Sequence, residues 1–472
     1  MRPRSLAILF VLVVALVSFI WFYEKDLPSS AERAELEKKV LKAPRDQVEE
    51  IRIESEGRTV VLERASSQTD SAGGGGPETT WRISEPIDSR ADSEMVDELL
   101  DMLTRLEKKR TLESVELDEA GFDPPRARLF VSHGDDATEF SVGNDIPASS
   151  SMLSRLEGSS EVVVVDAGLW PSLERSGGDW RARDLVEARS ADISRVELSG
   201  VGGDVVLARS DGDRFWTERP FEDWASEERV ADLLAAITSL RAESFVDDAG
   251  GNEEQFGLSP PRGFLVVETA SSSSERIEIG TPVPDTNELV YIRVAGQIAE
   301  AATDLTETVE RSPEQWRSLS LTTLQTYQID RLIIEDSERG GLTLTRSGAD
   351  WLRDEDEISF TTVSDLLYAI VDARATAALE IDSSDGVDLE KRMLEVSLFS
   401  ESDQESFSIF ENGGDELVKV RVDGRSSELE LERKRLVDIE EKISEVRHAE
   451  SLGGDNFAND AGSTLDESLD GS

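Results

Sequence analysis

The sequence contains no cysteine and only two histidines among its 472 residues. The missing cysteines exclude disulfide bonds, thiolate metal sites and a lipid anchor on cysteine. Because histidine is confined to His133 and His448, most Ser-His-Asp triads, histidine metal centres and histidine general bases are excluded. We therefore predict no catalytic, cofactor-binding or metal-binding residues and no enzymatic activity.

Positive charge is also scarce. The chain has 50 Lys+Arg against 100 Asp+Glu, which gives a net charge of −50. Such a surface repels phosphate backbones and anionic lipid headgroups, so we expect no nucleic-acid partner. Carboxylates are too common for any one pair to indicate a site. The acidic run 354–357 lacks the spaced Asp/Asn-and-Gly pattern of a calcium loop, which favours a solvated turn.

The chain has one long uncharged run, residues 6–23. At about 1.5 Å per residue a helix of this length spans roughly 27 Å, close to a bilayer core. Arg2 and Arg4 precede it, so the positive-inside rule predicts a cytoplasmic segment 1–5 and an extracytoplasmic body. A cleaved signal peptide is the alternative, with 29–31 as the cleavage site, but this apolar run exceeds the usual ~7–15 residues. We predict a single-pass protein of the cell inner membrane, anchored by its own helix.

Three tandem repeats follow the anchor. Trp81, Trp216 and Trp351 are equally spaced, and alternating apolar residues typical of antiparallel hairpins precede each one, at 48–53 and 59–62, 193–198 and 205–207, and 329–334 and 342–345. Apolar residues at i, i+3, i+4 and i+7 predict a helix after each Trp, at 92–106, 226–240 and 362–373. Ser93 and Ser226 are the predicted N-caps of the first two helices.

Other landmarks recur at matching places. A Pro-Pro-Arg step at 124–126 and 260–262 sets an extended entry into a strand, and repeat three has 387–390 there without proline. Arg-x-x-Gly recurs, with the glycine predicted in a turn. Its members are Arg155 and Gly158, Arg293 and Gly296, and Arg421 and Gly424. Repeats one and two close with Trp180-Arg181 and Trp316-Arg317.

The predicted fold class is α+β, with three tandem repeats of antiparallel strands packed with an amphipathic helix after an N-terminal transmembrane helix. The predicted segments are a cytoplasmic N-terminus 1–5, a transmembrane helix 6–23, a charged stalk 24–43, repeats 44–187, 188–320 and 321–448, and a disordered acidic tail 449–472.

Several features have a structural and a functional interpretation. The three recurring tryptophans could form a ligand platform, but core packing is the commoner role of such residues. The recurring arginines could contact an acidic partner, or pair across strands with the abundant carboxylates, which we favour. The glycine run 73–76 lacks the Lys-Ser/Thr of a phosphate loop and indicates a flexible loop tip.

Together these motifs resemble the bacterial domain-of-unknown-function family 4340. The match is best at Phe256–Pro261, at Ile279-Gly280 and at Tyr291–Arg293, and two departures are Phe122-Asp123 in place of Gly-Leu and the missing proline step in repeat three. The resemblance implies a single-pass membrane protein that accompanies gliding-motility-type ABC transporter components. It implies no catalytic residue, because none is established for the family.

The sequence thus predicts a membrane-anchored extracytoplasmic binding or scaffold protein, an accessory subunit of an ABC-transporter-like envelope complex. The alternative is a carboxylate-dependent enzyme acting on a cell-envelope polymer. Such an enzyme needs two Asp or Glu side chains facing each other across a cleft, at least one with a perturbed pKa.

Overall fold

A computed structural model describes residues 30–65, 80–112, 115–134, 136–210, 214–246, 253–286, 288–381, 392–412, 414 and 416–450. The predicted membrane helix 6–23, the glycine run 73–76, the segment 387–390 and residues 451–472 of the predicted tail lie outside these ranges. Within them, no helix is both long and apolar enough to cross a membrane.

The first repeat follows helix α1, Ser30–Lys38. Its strands are β1 Val48–Ser55, β2 Arg58–Ala65, β3 Thr80–Glu85, β4 Ser89–Arg90, β5 Arg110–Leu112, β6 Ala127–His133, β7 Asp136–Asp145, β8 Ser151–Leu156 and β9 Val162–Asp166. Its helices are α2 Ser93–Arg105, between β4 and β5, and α3 Trp170–Leu173, after β9.

The second repeat has the same elements in the same order. Its strands are β10 Ile193–Gly200, β11 Gly203–Arg209, β12 Phe215–Arg219, β13 Asp223–Trp224, β14 Ser244–Phe245, β15 Gly263–Thr269, β16 Ser274–Pro282, β17 Leu289–Val294 and β18 Gln297–Ala302. Its helices are α4 Glu227–Thr238 and α5 Leu305–Glu310.

The third repeat differs at its end, where a long helix follows the last strand. Its strands are β19 Arg331–Asp336, β20 Gly340–Ser347, β21 Asp350–Arg353, β22 Asp356–Ile358, β23 Ala377–Glu380, β24 Arg392–Phe399, β25 Gln404–Glu411, β26 Leu417–Val422 and β27 Ser427–Glu432. Its helices are α6 Phe360–Val371 and α7 Arg433–His448.

Each repeat forms one nine-stranded antiparallel sheet, and the strand order is the same in all three. In the first it is β4-β3-β2-β1-β6-β7-β8-β9-β5. Two four-stranded meanders therefore join where β1 pairs with β6, and the helix between them carries the chain to the far edge, where β5 pairs with β9. Alternating side-chain burial along the strands places one face against the helices. The three-repeat α+β prediction is confirmed for this part of the chain.

The helix after each fourth strand buries its apolar stripe against the sheet. In α2 the buried residues are Val96, Leu99, Leu100 and Leu103. The cap of α2 is Asp92, whose carboxylate accepts from Met95 N at 3.1 Å, so the prediction of Ser93 was wrong. Asp92 is equally suited chemically and lies one residue earlier. Ser226 is the cap of α4, as predicted.

The segment after α1 contributes to the first repeat rather than only linking it. Val40 and Leu41 are buried in the first repeat's core, and Val40 N donates to Leu106 O at 2.9 Å. A β-bridge joins Lys39 to Glu107. The end of the predicted stalk thus packs on the repeat, because its apolar pair has a partner surface beside α2.

Glycine is required before each Pro-Pro step because a neighbouring strand approaches the backbone closely there. Gly121 and Gly257 have φ of +78° and +66°, and a Cβ there would lie 2.4 Å from Asn144 of β7 or Thr281 of β16. Since these two glycines occupy equivalent positions, Phe122 corresponds to Leu258. The predicted departure of Phe122-Asp123 from Gly-Leu was therefore wrong, because the first repeat keeps the glycine one residue earlier.

The chain divides into two compact units, Met1–Leu185 and Val186–Ser472. The first unit holds the first repeat, and its limit lies close to the predicted boundary at 187. The second unit holds repeats two and three together. Polar contacts, several of them buried, join these two repeats within the second unit.

Candidate functional site

A buried carboxylate lies where the second repeat meets the third. Asp223 is the first residue of the short strand β13, and its side chain is 0% exposed. An unpaired carboxylate is costly to bury, so its partners determine whether the site is stable. Its Oδ1 accepts from the neighbouring Trp224 N at 2.7 Å. All its other hydrogen-bond partners come from the third repeat.

Arg425 and Ser427 of the third repeat bind this carboxylate. Arg425 Nε donates to Asp223 Oδ1 at 2.8 Å, and Arg425 Nη2 donates to Oδ2 at 3.2 Å, a two-point contact. Ser427 Oγ donates to Oδ2 at 2.5 Å. The left-handed turn residue Gly424, with φ of +79°, precedes Arg425 and directs the chain between β26 and β27. Both charged side chains are fully buried.

The same guanidinium also holds the linker between the repeats. Arg425 Nη1 donates to Ser320 O at 3.0 Å, and Nη2 donates to Ser318 O at 2.7 Å. Ser426 Oγ donates to Glu222 O, next to Asp223. The buried charge pair is therefore embedded in main-chain hydrogen bonds, which is the condition under which such a pair is stable.

A second arginine lies beside the pair. The Arg317 guanidinium stacks over the Phe221 ring at 3.5 Å and lies 3.8 Å from Asp223 Oδ2. Its Nη2 is 3.7 Å from a Glu380 carboxylate that is itself exposed. Arg317 Nε and Nη1 are buried without a hydrogen-bond acceptor in the described structure. The stacking and the two carboxylates stabilise this cation where hydrogen bonds do not.

A second carboxylate makes the reciprocal contact. Glu405 on β25 accepts from Arg214 Nη1 of the second repeat at 3.1 Å. It also accepts from Thr322 Oγ1 at 2.6 Å and Thr323 N at 2.8 Å in the linker, and from Thr323 Oγ1. Each repeat thus places one carboxylate among donors of the other repeat or the linker. We call these two clusters the double clamp.

The double clamp is suited to holding geometry rather than to proton transfer. Both Asp223 oxygens are occupied by donors in a site without solvent contact, so no free lone pair is available to a substrate. Breaking such a network costs several kcal/mol, which makes the arrangement of repeats two and three stiff.

The recurring tryptophans and arginines had both a structural and a functional interpretation. Trp81 and Trp351 are buried in the cores of their own repeats, whereas Trp216 is half-buried and packs against the third repeat's core. Arg293 pairs with Glu278 and, at 2.7 Å, with Glu253, and Arg421 pairs with Glu428 at 3.1 Å. Core packing and cross-strand pairing therefore account for these residues.

Arg155, the third of the recurring arginines, contacts an aromatic ring. The Arg155 guanidinium lies over the Phe122 ring at 5.7 Å. The glycines of the three Arg-x-x-Gly motifs, Gly158, Gly296 and Gly424, all have positive φ in strand-joining turns, as predicted. Each of the three arginines lies in a different sheet.

The histidines and the acidic run are not members of the double clamp. His133 Nε2 lies 3.1 Å from Thr138 Oγ1 at a hairpin end, and His448 Nδ1 contacts Ser444 O at 2.8 Å at the end of α7. The run 354–357 begins in the exposed turn between β21 and β22, and its last two residues belong to β22. No group of three or more metal-ligating side chains occurs among the described residues.

Two carboxylates in the described part of the chain have a raised pKa. Burial, then repulsion from Glu157, raises the pKa of Glu139 on β7. Burial raises the pKa of Glu440 on α7, and Asp336 and Glu338 add to the effect while Arg339 opposes it. The pKa of Glu278, by contrast, is lowered. Burial alone would raise it, but hydrogen bonds from arginines outweigh the effect of burial.

Sequence reasoning missed the double clamp. Asp223 lies in a charged stretch with Glu222, and nothing local distinguishes the buried carboxylate from the exposed one. One signal was present. The first repeat has Ser89 where the second has Asp223, and a charge replacing a buried serine at a repeated position indicates a new partner.

The comparisons with known proteins identify a family and no characterised relative. The model of the family described as "Domain of unknown function (DUF4340)" matches residues 81–226 and 216–392. No curated protein matches. A solved structure of a DnaN sliding clamp (DNA polymerase III subunit beta) from Pseudomonas aeruginosa bound to griselimycin is similar at 8% identity over 83% of this chain and 92% of that chain, with a TM-score of 0.12, too low to bear on fold or function.

The two family matches begin at Trp81 and Trp216, on the third strand of their repeats, and each continues into the next repeat. The family unit is thus offset from the structural repeat, and the second match spans the junction of repeats two and three. Because the two matches together cover more than half of the sequence, the chain belongs to the DUF4340 family.

Proposed function

We propose that this chain is a membrane-anchored extracytoplasmic binding or scaffold protein without enzymatic activity, an accessory subunit of an ABC-transporter-like envelope complex. The uncharged run 6–23 with arginines before it supports the anchor and the orientation. The resemblance to single-pass proteins that accompany such transporters supports the partner.

The double clamp is the observation on which the scaffold role depends most. It holds two nine-stranded sheets in one compact unit through a buried carboxylate cluster at Asp223 and a partly buried one at Glu405. A binding surface that spans both repeats is then preorganised, and little conformational entropy is lost when a partner binds. An enzyme needs a reactive group open to substrate, whereas the clamp uses its charges internally.

Crosslinking followed by mass spectrometry on native membranes tests the proposal, with the anchor intact. We expect crosslinks between the described repeats and permease or ATPase subunits of an ABC-type transporter. Recovery of cell-wall material without any protein partner contradicts the scaffold role.

The orientation has its own test. Alkaline phosphatase folds to an active form only outside the cytoplasm, so a fusion after residue 450 should be active in intact cells, and a fluorescent protein that folds only in the cytoplasm should stay dark there. The reverse pattern contradicts the extracytoplasmic placement.

One observation favours the enzymatic alternative. Glu440 has a raised pKa and interacts with Asp336, a buried carboxylate, so the third repeat holds a carboxylate pair of unequal environment. Asp336 Oδ1, however, accepts from Glu338 N and Arg339 N, both at 2.9 Å, which stabilises it as a turn residue. Hydrolysis of purified peptidoglycan by the full-length protein, abolished by Glu440→Gln but not by Glu441→Gln, would establish the alternative.

A further inference from the structure

The solvent-facing side of the third repeat's helices carries three large apolar side chains. Phe360 and Tyr368 on α6 are 50% and 54% exposed, and Val437 on α7 is 51% exposed. Other residues of the two helices form the core contacts, so these three side chains are additional to the core. We call them the helical patch.

The other two repeats show that the fold does not need the helical patch. The helices α2, α4 and α6 align on the first valine of their buried stripes, Val96, Val230 and Val363. The counterparts of the aromatic residues are small or charged: Ser93 and Glu227 for Phe360, and Asp101 and Ala235 for Tyr368. The same sheet and helix therefore form without exposed aromatic residues at these positions.

The two helices of the patch lie side by side and run in opposite directions. Arg353, on β21 in the hairpin that precedes α6, donates to Val446 O and Arg447 O at the end of α7, both at 2.8 Å. Asp365 near the middle of α6 interacts electrostatically with Lys442 of α7. The later half of α6, with Tyr368, thus lies beside the earlier half of α7, with Val437.

Two antiparallel helices present a shallow groove of the width that a third helix fills. Phe360 and Tyr368 are eight residues apart, about 12 Å along the helix, or a little more than two turns. An amphipathic helix with apolar residues at i, i+3 or i+4, and i+7 places its anchors over a similar length, about 10.5 Å.

The charges around the helical patch select the partner. Exposed Asp365, Asp372 and Glu441 flank it, and the nearby Lys442 is already paired with Glu445 at 2.8 Å. The cations near it that form no ion pair among the described residues are Arg374, just after the end of α6, and Lys434 and Arg435, in the first turn of α7. A partner therefore needs Lys or Arg beside most of its apolar stripe.

Three other occupants have the wrong charge. A second copy would bring the same acidic side chains together, and anionic lipid headgroups would meet them directly. Residues 451–472 of the same chain contain Asp and Glu but no Lys or Arg. We infer that the helical patch is a docking surface for an amphipathic helix of another protein, with Lys or Arg flanking its apolar stripe; this inference rests on the proposed binding role.

Site-directed photocrosslinking on native membranes tests the inference with the full-length protein. Tyr368 is replaced by p-benzoylphenylalanine, and the crosslinked residue of the partner is read by mass spectrometry. The same probe at Ala235, the matched position of the second repeat, is the control. We expect a crosslink from position 368 into a segment with apolar residues at helical spacing and flanking Lys or Arg, and none from 235.

Specificity is tested by adding Phe360→Ser, the residue of the first repeat, to the probe-bearing chain. Losing one exposed aromatic anchor should lower the crosslink yield at least about tenfold. Val201→Ser, at an apolar side chain that is 79% exposed in a hairpin of the second repeat, should leave the yield unchanged.

The inference is overturned by a crosslink to lipid, to a second copy or to residues 451–472, by equal yield from 235, or by no crosslink at all. A general amine-reactive crosslinker applied to the same membranes separates the two levels of the hypothesis. If it captures a membrane partner while position 368 does not, the docking surface is wrong and the scaffold role stands. If neither captures one, both are wrong.

Discussion

Repeats two and three share one sheet topology but differ in what covers the sheet. In repeat two the chain leaves β18 through the short helix α5 and the buried Trp316. In repeat three the sixteen-residue helix α7 takes that place and buries Leu436, Ile439, Ile443 and Val446. The order of nine strands is unchanged. The sheet is therefore the constant part of the unit, and the second helical element can be replaced as long as an apolar stripe covers the same face.

Their surfaces differ as well. In the described part of the chain, Leu117 and Val201 are the only exposed large hydrophobic residues outside the third repeat. The third repeat has the rest: Tyr327, Phe360, Tyr368, Leu379, Ile381 and Val437. The third repeat thus carries most of the exposed large hydrophobic residues of the described chain on an unchanged fold.

The largest effect should come from removing the carboxylate that joins the two repeats. Asp223→Ala leaves Arg425 buried without its counter-charge and should lower the free energy of unfolding by about 3–5 kcal/mol. Denaturant unfolding followed by tryptophan fluorescence measures it, because Trp224 adjoins the site.

The matched control is Ser89→Ala, at the same position of the first repeat. Ser89 is buried but carries no charge, so the loss should stay within about 1 kcal/mol. Equal losses for the two variants would mean that the clamp adds nothing beyond ordinary packing at this strand.

The recurring tryptophans give the next comparison. Trp351 is 1% exposed in its own core, and Trp351→Ala should cost about 3–5 kcal/mol. Trp216 is half-buried and packs on the neighbouring repeat, so Trp216→Ala should cost roughly half as much. Thermal unfolding of both variants measures the two losses of stability. A larger loss for Trp216 would show that the junction contributes more stability than the core of the third repeat.

A smaller loss of unfolding free energy is expected at Glu405, the carboxylate of the other cluster in the double clamp. Glu405→Gln keeps the shape of the side chain but removes the charge that faces Arg214 and two threonines, and it should cost about 1–3 kcal/mol. Glu401→Gln, at an exposed position before the same strand, should change stability by less than about 0.5 kcal/mol. If the two substitutions have the same effect in chemical denaturation, Glu405 is not a structural carboxylate.

The local patterns of the sequence predicted the repeat architecture well. Strand alternation and helix periodicity located the hairpins and the three central helices, because one buried face imposes a period on each element. The helix α7 was missed. Its stripe of Leu436, Ile439, Ile443 and Val446 has helical spacing, but many charged residues interrupt it and no such helix follows the other two repeats.

The double clamp could not be predicted in the same way. Asp223 and Arg425 are about two hundred residues apart in the chain and meet only because two sheets pack together. A local pattern records the burial of a residue on its own element, whereas this pair depends on the relative placement of two elements from different repeats. In a chain with 100 acidic residues, composition also gives no means of singling out one carboxylate.

The smallest effect on stability is expected at Glu440 on α7, the long helix of the third repeat. It should appear in the way stability depends on pH. Burial raises the pKa of Glu440 above its unfolded value, so the folded state binds the proton more tightly than the unfolded state. The stability from this group is therefore present at low pH and is lost as the pH rises through the folded pKa. Glu440→Gln should raise the melting temperature slightly at neutral pH and flatten this decline, whereas the exposed neighbour substitution Glu441→Gln should leave the pH profile unchanged. Melting curves across the acid-to-neutral range measure both. A lower melting temperature for Glu440→Gln at neutral pH would mean that the ionised carboxylate stabilises α7 through Arg339 and Arg433, and that their attraction outweighs the cost of burial.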